Sequence, residues 1–426
     1  MPIKLSRRSL LTLAASGLWV PPALAVDTGL SERKFLILVA KGGWDGMRVF
    51  TPMSAALGYD VDPEGTIAEA NGLTWLSSPL RPSVDTFFQT WGDRVCVLNG
   101  LEIPSISHDV CFKLLLTGRA DQVTDDWGMI LGGNSARPDL LLPYLVFEGP
   151  TFARNYAHAL VRLGDSGQLP ALLNGNILDR SNETIRGFSD EVASVTDAFV
   201  EARSQAWQES ARCGQRAFLG DHYVRSLVAA RRLVGEAAAL NLSVDALSCT
   251  RDLEADAEVV LDCMAAGLSR VALLQDYGDC EINWDTHRND PVQDTNFDAF
   301  FSRLDTILNM IAARTSASGA PLADELTVVV VSEMNRTPYL NYDGGREHWP
   351  YTSAMLIGSG VRGGQVIGQM DDGFIGQKID LATGELDDGG DAITGAHLGA
   401  TLLALGSVEA PDRFVGDVQP IEAALS

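Results

Sequence analysis

Six short, almost uninterrupted apolar runs limit what this chain can fold into. They are KFLILVA (Lys34–Ala40), RVCVLNG (Arg94–Gly100), PYLVFEG (Pro143–Gly149), RVALLQ (Arg270–Gln275), LTVVVVS (Leu326–Ser332) and AMLIGSG (Ala354–Gly360). Each is strand-length and lacks the polar alternation of a strand with one wet face. Such runs are expected on strands buried on both sides of a mainly parallel sheet. Helical patterns lie between them, as at Ser83–Trp91, Val110–Thr117 and Phe297–Ala313. A stretch from about residue 188 to 266, rich in Ala, Arg, Glu and Leu at helical spacing, reads as a helical insertion. The expected class is α/β: a doubly wound, mainly parallel sheet flanked by helices. No period of repeats and no low-complexity linker divides the chain, so residues 26–426 read as a single domain.

Residues 1–25, MPIKLSRRSLLTLAASGLWVPPALA, have a basic start, an apolar stretch and the small-residue site Ala23-Leu24-Ala25. The pair Arg7-Arg8 within S-R-R-S-L-L marks a twin-arginine export signal. The expected location is therefore periplasmic or otherwise exported, with the twin-arginine machinery as one partner. The formal net charge is −24, and loss of Lys4, Arg7 and Arg8 makes it more negative. That charge argues against nucleic acid, anionic membrane surfaces and long polyanions as partners. No internal run of eighteen apolar residues exists, so no membrane span is expected in the mature protein. Six cysteines allow disulfides without selecting a pairing, and no C-x-x-C pair suggests a cysteine metal site.

The chemistry collects in loops at or near the C-terminal ends of the expected strands, where open α/β sheets bind ligands. KGGWDGMRVFTP (Lys41–Pro52) places Asp45 after the first strand, and VSEMNRTP (Val331–Pro338) places Glu333, Asn335 and Arg336 after the most apolar one. INWDTHRND (Ile282–Asp290) sets Asp285 and His287 two apart, on one face of an extended segment. GGREHWP (Gly344–Pro350) holds His348 in a glycine-rich loop, fifteen residues after Glu333. Trp284 is either an apolar wall for this place or simply core. SISHDVCFKLLLTG (Ser105–Gly118) starts a helix at His108, with Ser105 and Ser107 just before it. Acids gathered this closely repel unless cations neutralise them, and mixed carboxylates and imidazoles suit divalent ions.

The ordered set G-G-W-D-G, S-H followed eight residues later by T-G, W-D-T-H, S-E-M-N-R-T-P and G-G-R-E-H-W, behind a twin-arginine signal, resembles an exported, sulfatase-like family of the DUF1501 type. The likeness runs to AHLGATLLALGSV (Ala396–Val408). More distantly it resembles the alkaline phosphatase superfamily, whose members have a doubly wound core and usually two metal ions flanking a nucleophile. The resemblance implies that Asp45 and Glu333 bind one ion, that His348 binds a second, and that Asp285 and His287 match an aspartate–histidine pair of wider spacing. It also implies a Thr or Cys nucleophile ten residues before Gly118, where this chain has His108. Met334 stands where a metal-binding histidine is usual.

Three roles stay open for that position: His108 as a replacement metal ligand, His108 as a nucleophile, and Ser107 as a shifted nucleophile. The expected metal ligands are thus Asp45, His108, Asp285, His287, Glu333 and His348, holding one or two divalent ions among zinc, manganese, iron and calcium. Arg336, and less directly Lys41 or Arg119, is expected to contact an anionic group. The expected function is metal-dependent hydrolysis of a small phosphate or sulfate ester by a metal-activated water. The rival is a non-catalytic, metal- or ligand-binding exported partner of another protein. His158, His222 and His397 read as structural or surface residues, and Asp371-Asp372 and Asp387-Asp388 as solvated loops or weak calcium sites.

Overall fold

The computed structural model describes residues 32–121, 123–137, 140–163, 176–178, 184–186, 189–210, 233, 252–278, 283–409 and 418–426. Residues 1–25, His222, Cys213, Cys249 and Cys280 lie outside them. The described residues fall into two compact units. The larger is drawn from Ser31–Ala136, Leu142–Arg162 and Ser248–Ser426, and the smaller from Arg137–Leu141 and Leu163–Leu247.

Along the larger unit run β1 (Lys34–Ala40), the hairpin β2 (Thr66–Ala70) and β3 (Leu73–Ser77), α1 (Pro82–Trp91), β4 (Val95–Glu102), α2 (His108–Thr117), α3 (Trp127–Gly133), β5 (Tyr144–Val146) and β6 (Leu160–Arg162). The smaller unit contains the antiparallel pair β7 (Asn176–Leu178) and β8 (Thr184–Arg186), then α4 (Asp190–Ser210). The larger unit resumes with α5 (Leu253–Ala265), β9 (Val271–Asp276), α6 (Val292–Ala312), β10 (Leu326–Val331), β11 (Asn335–Arg336), β12 (His348–Trp349), β13 (Tyr351–Gly358), β14 (Gln365–Ile367) and α7 (Gly395–Leu405). Of the stretch 188–266 expected as a helical insertion, α4 belongs to the smaller unit and α5 to the larger; residues 211–232 and 234–251 lie outside the described set.

The eight-stranded sheet has the order β14-β4-β13-β10-β1-β9-β5-β6. Every pairing is parallel except the two made by β13, which runs antiparallel to β4 and β10. The α/β class expected from the apolar runs is the one observed. Phe35, Ile37 and Val39 of β1 face one core with Cys111, Leu115, Leu131 and Leu398 from α2, α3 and α7. The alternate residues Leu36 and Leu38 are equally buried on the opposite face. There Trp44, Phe50 and Phe297 pack ring against ring with Phe301 of α6. A strand sandwiched this way has no wet face, which is why its sequence shows no alternation.

Helix α6 starts five residues before the expected Phe297, because the buried polar residues Gln293, Asp294 and Asn296 interrupt the apolar pattern without ending the helix. Helix α2 begins at His108 and closes at Gly118, whose φ of +72° is the left-handed cap a glycine supplies. Cys96, Cys111 and Cys263 are buried free thiols. Among the described residues no helix is long and apolar enough to cross a membrane.

Candidate metal centre

The site forms where five segments meet at the C-terminal edge of the sheet. Ser332 and Glu333 leave β10, and Lys41–Gly43 leave β1. Gly42 (φ +125°) and Gly43 (φ +89°) turn the chain sharply, and the Gly42 N–H donates to both Glu333 oxygens at 2.9 and 3.2 Å. A Cβ on Gly42 would lie 2.5 Å from the Asp285 nitrogen, so only glycine lets these two loops touch. His108 enters from the start of α2, Asp285 and His287 from the loop after β9, and His348 from the β11–β12 ribbon.

Three imidazoles are held in the same way. Nδ1 of His108 faces Glu333 Oε1 at 2.7 Å, Nδ1 of His287 faces Glu347 Oε2 at 2.9 Å, and Nδ1 of His348 faces the Ile106 carbonyl at 2.6 Å. An oxygen acceptor on Nδ1 places a proton there and turns Nε2 inward. All three Nε2 atoms turn to Asp285, at 3.5 Å from Oδ2 for His108 and at 3.2 and 3.3 Å from Oδ1 for His287 and His348. Nε2 of His287 and of His348 are 2.9 Å apart, an approach two lone pairs tolerate only with a proton or cation beside them. Nε2 of His108 is buried and without a hydrogen-bond partner.

His108, Asp285 and His348 form the one group of three or more such side chains among the described residues with ligand atoms all within 4.8 Å of one another. The fit to a divalent ion rests on the orphaned His108 nitrogen, the convergent Nε2 atoms and an oriented outer acceptor on each ring. The local field agrees. The Asp285 and Glu333 carboxylates beside it push the His108 pKa up to about 9 against the effect of burial. Burial alone would raise Asp285, yet His108, His348 and Arg336 hold its carboxyl well below the usual range. A place that favours a proton so strongly favours a divalent cation for the same reason.

The other expected ligands stand elsewhere. Asp45 is fully buried, but its carboxylate accepts from the Met47 N–H and pairs with Arg48 at 3.2 Å and Arg346 at 3.3 Å, so it caps a turn inside an ion network. Glu333 touches the group through His108, and its carboxylate also accepts from the Gly42 N–H and, at 3.4 Å, from the Ser332 hydroxyl. Met334, where the resemblance placed a histidine, is buried in the core under Gly43.

Arg336 does not face a substrate either. It is fully buried and spends its donors on the carbonyls of Gly42, Gly43 and Arg346 and on Asp285. Lys41 lies over the Tyr277 ring and Arg119 is paired with Asp121. Ser107 occupies the cap position of α2 without making a side-chain cap bond. Trp284 is core, donating to Asp276 at 2.8 Å and packing on Phe297. His397 bonds Thr394 at the start of α7, and Asp371 and Asp387 accept from backbone N–H groups of their own turns. Glu347, the outer partner of His287, went unnoticed in the sequence; its one signal is its place beside His348.

The profile of the family described as "Protein of unknown function (DUF1501)" matches residues 33–380. The chain belongs to the DUF1501 family. No curated protein matches this DUF1501 chain. Among solved structures it is similar to a protein in the alkaline phosphatase superfamily from Vibrio parahaemolyticus, at 11% identity over 95% of this chain and 75% of that one, with a TM-score of 0.33. It is similar also to the PsFucS1 sulfatase from Pseudoalteromonas sp., at 10% identity over 99% and 77% of the two chains, with a TM-score of 0.36.

Proposed function

We propose that this DUF1501 protein is an exported, metal-dependent hydrolase of small phosphate or sulfate esters. The observation that carries the reading is the convergence of three outward-anchored imidazoles on Asp285. His108, Asp285 and His348 would hold one divalent ion, with His287 beside them. Two or three nitrogens with one carboxylate suit zinc, manganese or iron better than calcium, which prefers more oxygens. When bound, such an ion polarises an ester oxygen and lowers the pKa of a water to near neutrality.

The chain's own residues set the rest. Glu333 and the Ile106 carbonyl aim His108 and His348, while Arg336 holds Asp285 from behind. With Arg336 buried and Glu347 at the rim, the described residues around the centre offer little positive charge of their own to an anion. A small monoester therefore fits, and a polyanion does not. Water is favoured as nucleophile over either protein group. Nε2 of His108, the atom that would attack, is the one that would ligate, and among the described residues no histidine bonds the exposed Ser107 hydroxyl to activate it.

Residues 1–25, read as a twin-arginine segment, support a location outside the cytoplasm. The missing nucleophile and the buried Arg336 favour one second reading, a metal-binding exported partner protein without turnover. Elemental analysis of purified protein, with hydrolysis of aryl phosphate, phosphodiester and sulfate in added zinc or manganese, tests both. Turnover abolished by chelator and by His108→Ala supports the hydrolase. Bound metal with no turnover on any ester supports the partner protein, and absence of metal sinks both.

A further inference from the structure

We infer that Arg346 is the positioning residue of this centre, holding from outside the loops that carry Asp285, His287 and His348; the inference rests on the metal-site reading. Its side chain is almost fully buried. Nε meets Asp290 Oδ1 at 2.9 Å and Asp45 Oδ2 at 3.3 Å, Nη1 donates to the Thr337 carbonyl at 2.9 Å, and Nη2 donates to the Asp60 carbonyl. The peptide group is used as fully. Its N–H donates at 3.0 Å to the carbonyl of Thr286, which stands between Asp285 and His287. Its C=O accepts at 3.1 Å from Nη1 of Arg336, whose Nη2 binds Asp285. His348 follows two residues later.

One residue thus ties the loops after β1 and β9 and both arms of the β11–β12 ribbon. It touches none of the metal-binding atoms. The 2.9 Å approach of His287 and His348 Nε2 is unfavourable without a cation, so something outside the pair must hold it. Arg346 does so through a planar fork that reaches two carboxylates and two carbonyls in different directions. A lysine keeps the charge but offers a single nitrogen, which cannot span those four acceptors. Arg48, which binds Asp45, Asp290 and Asp294, still neutralises the acids when the fork is gone.

Arg346→Lys in the full chain tests this, with Lys34→Met as the control. Lys34 is a buried partner of Glu325 at the opposite end of β1. Both variants are compared by chemical denaturation and by Zn²⁺ affinity against a chromophoric chelator, at a denaturant-free temperature where both are folded. Arg346→Lys is expected to bind Zn²⁺ about 10- to 100-fold more weakly, the usual cost of a lost supporting contact, while Lys34→Met loses stability alone. Unchanged Zn²⁺ affinity in Arg346→Lys, or an equal loss in Lys34→Met, overturns the inference. If the wild-type chain takes up no Zn²⁺, the metal reading falls and the positioning role is judged by imidazole nitrogen NMR. The wild-type Nδ1–H tautomers of His287 and His348 are then expected to be lost in Arg346→Lys, and their persistence overturns it.

Discussion

Nδ1 of His108 stands 2.7 Å from Oε1 of Glu333, joining the first residue of a helix to the residue two places past the end of a strand. The carboxylate does not reach the convergent nitrogens. It decides which nitrogen of the ring can.

With its pKa up to about 9 in the folded chain, His108 makes metal-free stability depend on pH. The folded value lies above the unfolded value of about 6.5. The contribution is therefore complete below about pH 6.5 and is lost as pH rises through about 9. Its size is at most about 3 kcal/mol, reduced by solvent because the ring is partly open. Denaturant titrations in chelator should show stability falling over that window, and Glu333→Gln should flatten the slope.

Metal uptake near neutral pH should release a proton, because His108 must give one up to ligate. Calorimetry of Zn²⁺ binding in buffers of different ionisation enthalpy measures it directly. Release close to one proton at pH 7, falling away above about pH 9, is the expected result. Zero release at pH 7 would remove His108 from the ligand set.

Asp285→Asn and Asp45→Asn should separate cleanly. The first removes the carboxylate on which three nitrogens converge and should abolish Zn²⁺ uptake. The second disturbs a buried ion network and should cost about 1–3 kcal/mol of stability while the Zn²⁺ affinity holds, since Arg346 keeps Asp290, Thr337 and Asp60. Loss of metal from both would return Asp45 to the ligand set.

Gly42→Ala should be among the most damaging small substitutions. It forces a left-handed backbone on a residue with a Cβ and drives that carbon into the backbone of Asp285. A loss of about 2–4 kcal/mol or more is expected, with weakened metal binding in whatever folds, read by thermal unfolding and Zn²⁺ titration. A stable alanine variant with normal Zn²⁺ affinity would contradict the packing of these two loops.

The strands were legible because burial on two faces leaves continuous apolar runs, and β10 with its four valines is the plainest case. The direction of β13 was not, since such a run looks the same whichever way it lies. His108, Asp285, His287 and His348 were readable as a set from their shared place beyond strand ends. Asp45 looked equivalent, because an aspartate after a strand looks the same whether its partner is an ion or Arg346, three hundred residues away. The task of Glu347 depends on the β11–β12 ribbon turning it back toward His287, and no local pattern announces that.

The reversed strand β13 has a further result. A parallel neighbour of β10 would require a crossover of a dozen or more residues, and a residue just before it would emerge at the far edge of the sheet. Running the other way, β13 makes β10 and its neighbour the two legs of one wide hairpin. Glu333, Arg336, Arg346 and His348 all lie on its short tip. The contacts of Arg346 with Arg336 and Thr337 close within the tip. Glu333 and His348 meet His108, His287 and Ile106 once those distant segments arrive, so the centre is completed late. The same tip is a keystone: exchanging residues 333–348 would remove Arg336 and Arg346 as well, and with them the ties to the loops after β1 and β9.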